Sequence, residues 1–297
     1  MYRYNLKVGS TSPSKQVAKM MTGIEEIFRK DTPDVVLVEG DTNTALAGAL
    51  VASQHHIRLG HVEAGLRSYD NSMPEEMNRI LIDHCSDILF APTLKAVTIL
   101  QSEGISHDKL WLTGNTVVDA VYQNIKMPYT TNIEGGIPDK YMLVTVHRQE
   151  NVDSKVRFSS ILDGLNSLID QYGLPMIYPI HPHSVARMKK YGLQPGEITM
   201  ISPVGYFEFL HLEQRASLIL TDSGGVQEES CILRVPCVTL RDNTERPETV
   251  EVGSNILAGI SPDKILDCAG LMLNKTNDWK NPFGDGNAAE KIVDLIL

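Results

Sequence analysis

Residues Pro33–Glu63 read PDVVLVEGDTNTALAGALVASQHHIRLGHVE. The stretch opens on a short continuous apolar run, VVLV, of the kind found in a strand buried on both faces. A turn, Glu39-Gly40-Asp41, follows. TALAGALVASQHH is rich in small residues and reads as a helix able to pack closely on a sheet. IRLGHVE is a second strand. Strand, helix and strand joined this tightly are a parallel βαβ unit.

The same alternation continues outward. Upstream, KQVAKMMTGIEEIFRK has amphipathic helical periodicity. Downstream, PEEMNRILIDHCS and LKAVTILQSEG read as helices, and DILFAPT and KLWLTGN as strands. The series pauses at NIKMPYTTNIEGGIPDK, where prolines and glycines interrupt any apolar period. It restarts with YMLVTVHRQEN (strand and turn), VRFSSILDGLNSLIDQYG (helix) and PMIYPIHPHS (strand). HLEQRASLILTDSGG then reads as helix and strand, VQEESCILRV as helix, PCVTLRDNTERPETV as strand and loop, and AAEKIVDLIL as a closing helix. The expected class is α/β, with two parallel-sheet domains: 1–124, a linker at 125–139, a second domain at 140–284, and a terminal helix at 285–297.

Composition narrows the function. The 297 residues are 42% hydrophobic and 22% charged, with a net charge of -10. This acidity argues against nucleic-acid binding, which needs a basic face. A small anion needs only local donors. Cys85, Cys231, Cys237 and Cys268 form no C-x-x-C pair, which fits reduced thiols in a cytoplasmic protein. No apolar run approaches the ~18 residues of a membrane span, and the N-terminus lacks a signal-peptide core.

The unusual polar residues fall at predicted strand ends, where open parallel sheets bind ligands. Asp41 follows one strand; His61 and Glu63 end the next. His147 and Arg148, then His181 and His183, then Asp222, Ser223, Gly224 and Gly225, then Arg241 and Arg246 do the same further on. One cleft lined by both domains is the expected site. Each feature also has a plainer reading. Asp41 can cap a helix. Glu75 and Glu76 can be acids complementing a helix start behind Pro74. Arg67 and Arg79 can be solvated or paired with these acids. His147 can be merely hydrogen-bonded. His181 and His183 lack a third ligand, so no metal is expected. TDSGGVQEES is more specific. It runs from strand through Ser-Gly-Gly into a helix, whose free N–H groups suit an anion. It is neither a Walker loop nor a dinucleotide fingerprint. A diphosphate held by amides and arginines, without metal, fits it. A side chain at Gly224 is expected to block the backbone's approach to that anion.

VEGDTNT, GHVEAGLRS, MPEEMNR, LTGNTVVD, VTVHRQEN, TDSGGVQEE and RDNTERPE resemble, in order and spacing, the non-hydrolysing UDP-N-acetylglucosamine 2-epimerases. The resemblance implies two Rossmann-like domains of glycosyltransferase-B type. It also implies interconversion of UDP-N-acetylglucosamine and UDP-N-acetylmannosamine, through elimination of UDP to 2-acetamidoglucal and re-addition. It assigns Asp41, Glu63 and Glu75 to proton transfer and cation stabilisation, and His147 to the glycosidic oxygen and phosphate. Ser223, Gly224 and Gly225 would hold the diphosphate, Glu229 the ribose, Phe209 the uracil, and Arg246 and His181 the same nucleotide region. No nicotinamide, flavin or metal is required, and a homodimer is the expected assembly. The family's opening Gly-Thr-Arg-Pro-Glu turn has no counterpart here. The first domain is therefore expected to be truncated at its N-terminus, with UDP binding kept and turnover weakened. Alternatives are a UDP-diacetamido-uronate 2-epimerase, a UDP-sugar glycosyltransferase, and a nucleotide-sugar-binding fragment without activity.

Overall fold

The computed structural model describes residues 4–9, 11–71, 73–129 and 136–297. The chain divides into two units, Met1–Asp119 with Phe283–Leu297, and Ala120–Pro282. In the first, α1 (Pro13–Lys30), β1 (Val35–Glu39), α2 (Asn43–Gln54), β2 (Arg58–Val62), α3 (Pro74–Cys85), β3 (Ile88–Ala91), α4 (Leu94–Ser102) and β4 (Leu110–Leu112) alternate. Their four strands form a parallel sheet in the order β1-β2-β3-β4. The small residues of α2 explain its close seat: Ala45, Ala47, Ala49 and Ala52 are buried, and several join Val38, Leu59 and Ile82 in one core.

Helix α5 (Thr116–Asn124) straddles the boundary between the units. The second unit continues with β5 (Met142–Thr145), α6 (Gln149–Val152), α7 (Lys155–Tyr172), β6 (Met176–Pro179), α8 (Pro182–Tyr191), β7 (Thr199–Ile201), α9 (Tyr206–Arg215), β8 (Leu218–Thr221), α10 (Gly224–Leu233), β9 (Cys237–Thr239), α11 (Pro247–Glu251), β10 (Asn255–Leu257) and α12 (Pro262–Leu273). All six strands are parallel, in the order β10-β9-β8-β5-β6-β7. Strand β5 is central, and period-two alternation sends its side chains into two cores. Met142 and Val144 face one, with Leu218 and Leu220; Tyr141 and Leu143 face the other, with Ile219 and Leu212. The chain winds from β5 to β7 on one side, then returns to β8 on the other. The adjacent ends of β5 and β8 are therefore a topological switch point.

The last helix, α13 (Ala288–Ile296), belongs to the first unit rather than standing apart. The Asp119 carboxylate accepts the backbone N–H groups of Ala288 and Ala289 at 3.1 and 2.9 Å, and Ile292 packs with Val62, Ile88 and Phe90. Helices α5, α8, α11 and α12 and strands β7 and β10 are elements that the sequence pattern does not mark. Strands β7 and β10 have three residues each, too few for a period to show. Helix α8 is polar, with only Ser184 and Met188 buried. The linker's residues 130–135 lie outside those described. Among the described residues no helix is long and apolar enough to cross a membrane.

Candidate functional site

In the first unit the ends of β1 and β2 are tied together. Gly40 N donates to Val62 O at 3.1 Å, just before Asp41. Asp41 does not cap α2; Thr42 does, accepting from Ala45 N at 3.2 Å. The Asp41 carboxylate instead pairs with Arg79, and its carbonyl accepts from Asn78 Nδ2 at 2.8 Å. Glu63 follows β2 with φ +72°, the left-handed region a residue with a Cβ rarely enters. Such a backbone persists only where its surroundings hold it, and these positions cluster at functional sites. A Cβ placed on Gly40 would lie 3.6 Å from Glu63 Oε2, so Asp41 and Glu63 share one strand-end edge.

The two acids of α3 divide their tasks. Glu76 is buried and accepts from Ser68 N, Tyr69 N and the Arg79 guanidinium, all within 3.1 Å. It is an anchor for the loop before α3, more than a helix-start acid. Burial alone would raise its pKa, but the Ser68 N–H and Arg79 outweigh it and hold the carboxyl below the usual range. Glu75 is half-buried and makes no hydrogen bond or ion pair among the described residues. Of the two, Glu75 is the one left available to a ligand.

Beneath this edge lies a buried ion network that the sequence pattern did not reveal. His61 Nδ1 meets Asp83 Oδ1 at 2.6 Å, and its Nε2 meets Gly40 O at 3.0 Å. Asp83 Oδ2 also accepts from Gly65 N at 3.2 Å and pairs with Arg67 at 2.7 Å. Arg67 in turn holds Glu103 through two bonds of 2.8 and 2.6 Å. Both arginines are thus paired rather than solvated. Burial would raise the Asp83 pKa, yet the His61 bond and Arg67 charge leave it lowered. A readable signal existed: Glu76, Arg79 and Asp83 share one face of α3, where charges are out of place unless paired.

In the second unit, Asp222 at the end of β8 performs the equivalent task. It is fully buried. It accepts from His147 N at 3.1 Å, Arg148 N at 2.9 Å and Asn151 Nδ2 at 3.1 Å. His147 Nδ1 lies 3.2 Å from Asp222 Oδ1. Burial opposes charge on Asp222, but the His147 contact and these donors win, so it stays an anion. An anion at Nδ1 keeps the proton there and leaves Nε2 on the half-exposed side of the ring. A pocket of about 220 Å³ opens beside it, lined by His147, His181, Phe209 and Ser223.

Helix α10 begins at this pocket. Ser223 occupies its N-cap position without making a side-chain cap, and its first turn contains no acid. The opening N–H groups therefore point outward with the positive end of the helix. A Cβ at Gly225 would meet nothing within 4 Å, whereas one at Gly224 would lie 2.4 Å from Glu245 Oε1 and 3.9 Å from Arg246 Cζ. A side chain at Gly224 would therefore meet Glu245, while Gly225 faces open space. Glu245 cannot readily give way, since it is buried and pairs with Arg241 at 2.8 Å and Arg148 at 3.3 Å. Its desolvation is outweighed by Arg246, Arg241 and Arg148, which lower its pKa to about 2. Gly224→Val should cost about 1–3 kcal/mol of stability, read by urea unfolding. Gly225→Ala should leave stability unchanged within about 0.5 kcal/mol and weaken anion binding instead. Equal melting of the two variants would contradict this assignment.

Arg246 lies beside this turn and pairs with Glu228 at 2.7 Å. His181 caps α8, its Nδ1 accepting from His183 N at 3.1 Å, while His183 is committed to Asp153 at 2.7 Å. Glu229 is buried deeper in α10 and does not line the pocket.

Two parallel-sheet units, one with a switch-point pocket against an uncapped helix, define a protein of glycosyltransferase-B type. A sequence profile described as UDP-N-acetylglucosamine 2-epimerase matches residues 1–297, and the chain belongs to that family. It is 52% identical to the UDP-N-acetylglucosamine 2-epimerase of Methanocaldococcus jannaschii, over 99% of this chain and 83% of the relative. It superimposes on the crystal structure of that M. jannaschii enzyme in complex with UDP-GlcNAc and UDP with a TM-score of 0.94, covering 99% of this chain and 84% of the other. It is also 40% identical to the UDP-2,3-diacetamido-2,3-dideoxy-D-glucuronate 2-epimerase of Pseudomonas aeruginosa, over 99% of this chain and 83% of the relative.

Proposed function

We propose that this protein is a non-hydrolysing UDP-N-acetylglucosamine 2-epimerase, interconverting UDP-N-acetylglucosamine and UDP-N-acetylmannosamine. The reading is carried by the His147–Asp222 pair set in a pocket against the uncapped start of α10. No carbonyl acidifies the C2 proton of the sugar, so inversion there proceeds by elimination. The bond from C1 to the UDP oxygen breaks, C2 gives up its proton to a carboxylate, and 2-acetamidoglucal forms. Protonation of C2 from the other face and return of UDP to C1 complete the inversion.

Asp41, Glu63 and Glu75 are the acids we assign to this sugar chemistry. They move the C2 proton and stabilise the cationic C1. His147, fixed by Asp222, presents Nε2 to the leaving oxygen and phosphate. The amides of Ser223, Gly224 and Gly225, with Arg246, retain the diphosphate so that it can re-add. Phe209 lies against uracil, Glu229 takes the ribose, and His181 borders the nucleotide. The assembly we expect is a homodimer, which sedimentation tests.

The decisive assay uses UDP-N-acetylglucosamine alone. The reading predicts UDP-N-acetylmannosamine with no acceptor, at an equilibrium reached equally from either sugar. UDP release without the second sugar would point to a transferase or hydrolase, and bound but unchanged substrate would overturn the catalytic claim.

A further inference from the structure

Helices α9 and α10 bury an acid that the reaction above leaves unused. Glu213 is 0% exposed, and its neighbour Glu229 is 8% exposed. The two carboxyl groups are in hydrogen-bond contact, and no protein donor reaches either Glu213 oxygen. The Tyr206 hydroxyl also reaches Glu229, with Asn124 behind it. Two carboxyl groups that touch, one of them fully buried, do not both ionise readily, so one proton lies between them.

A charged carboxylate offers about four acceptor sites. At Glu229, Tyr206 fills one. A proton on Glu213 fills a second. Two remain, the number that the adjacent hydroxyls of a ribose require. We infer that Glu213 is a positioning residue that stays protonated, donates to Glu229, and so fixes Glu229 as a charged receptor for the cis-diol of the nucleotide's ribose. This rests on the nucleotide reading above and adds the residue that sets its sugar preference.

The surroundings favour that placement of the proton. Burial, then the charge of Glu229, push Glu213 well above the usual carboxyl range. Burial also raises Glu229, but the bonds from Tyr206 and Glu213 oppose it. The other titratable groups facing Glu213 are Tyr206, whose hydroxyl is pushed up by burial and the charge of Glu229, and Cys237 on β9, whose thiol burial pushes up to about 12. Both stay neutral. Without the shared proton, two like charges would stand together and Glu229 would be turned from the diol.

Calorimetric titration with UDP and with 2′-deoxy-UDP at neutral pH tests this. Wild type should prefer UDP by about tenfold, the worth of a hydrogen bond to a charged group. Glu213→Gln keeps a permanent donor, so it should keep that preference. Glu213→Ala should lose the preference while still binding 2′-deoxy-UDP. Thermal melting confirms that each variant is folded. A preference lost in Glu213→Gln, or kept in full by Glu213→Ala, would overturn the assignment. Absence of UDP binding by wild type would overturn the nucleotide reading, and this inference with it.

Discussion

Glu63→Gln lowers turnover of UDP-N-acetylglucosamine by about 10²–10⁴-fold, the range expected when a group that transfers a proton is lost, while UDP binds as before. The split between turnover and binding is the informative part. Glu63 sits at φ +72° at the end of β2, and the amide is nearly isosteric, so the strained turn persists. On the proposed reading, UDP affinity depends on the pocket beside α10 in the second unit, which the change does not touch. Asp41→Asn and Glu75→Gln should behave alike, with one distinction. Asp41 pairs with Arg79, so its amide also leaves a buried guanidinium short of a partner and should lower stability. Glu75 has no such partner among the described residues, and its amide should melt as wild type does. Stopped assays with calorimetric UDP titration read both quantities. Full turnover in all three amides would remove the acids from the chemistry.

Asp83→Ala is expected to destabilise the fold by about 3–5 kcal/mol, the usual cost of removing one partner of a buried ion pair. His61 and Arg67 would each lose their shared counter-ion, and Gly65 N its acceptor. Gly65 has no freedom to move away: its φ is +85°, and a Cβ there would stand 2.6 Å from Ala96 O. Urea unfolding measures the loss, and a change under 1 kcal/mol would show that the network contributes little. The same groups set a pH dependence. Asp83, Asp222 and Glu76 have pKa values lowered by folding, and Glu245 falls from 4.5 to about 2. A carboxyl lowered in the folded state gives stability that is present above its unfolded pKa. That stability is lost as pH falls through the folded value. For Glu245 the loss should run from about pH 4.5 down to 2. Glu213, raised by burial, has the opposite sign and takes stability away as pH rises above its unfolded value.

Much of this was legible in the chain. The runs MLVT and LILT are short, apolar and continuous because β5 and β8 are covered on both faces. VVLV, of the same kind, became β1 at the end of its sheet, where Val38 is buried but Leu37 is exposed. The motif TDSGG reads as an anion turn because its residue types serve little else at a strand end. What stayed hidden was polar and buried. Asp83 and Glu213 sit on amphipathic helices, where an acid is ordinarily assigned to water. Beyond the shared face of Glu76, Arg79 and Asp83 on α3, their partners are distant in sequence: His61 lies on β2 and Glu229 on α10. Helix α12 places Asp263, Lys264 and Asp267 in its first half and is apolar after them, so its period shows only in part, and α5 begins directly behind a loop.

The central claim is that this chain inverts C2 through loss and return of its proton. Proton NMR of UDP-N-acetylglucosamine incubated with the protein in D2O tests it most directly. The account predicts a new UDP-N-acetylmannosamine anomeric signal, with deuterium at C2 of the product and no acceptor added. Product that keeps its C2 hydrogen, or UDP released with no second sugar nucleotide, would contradict it.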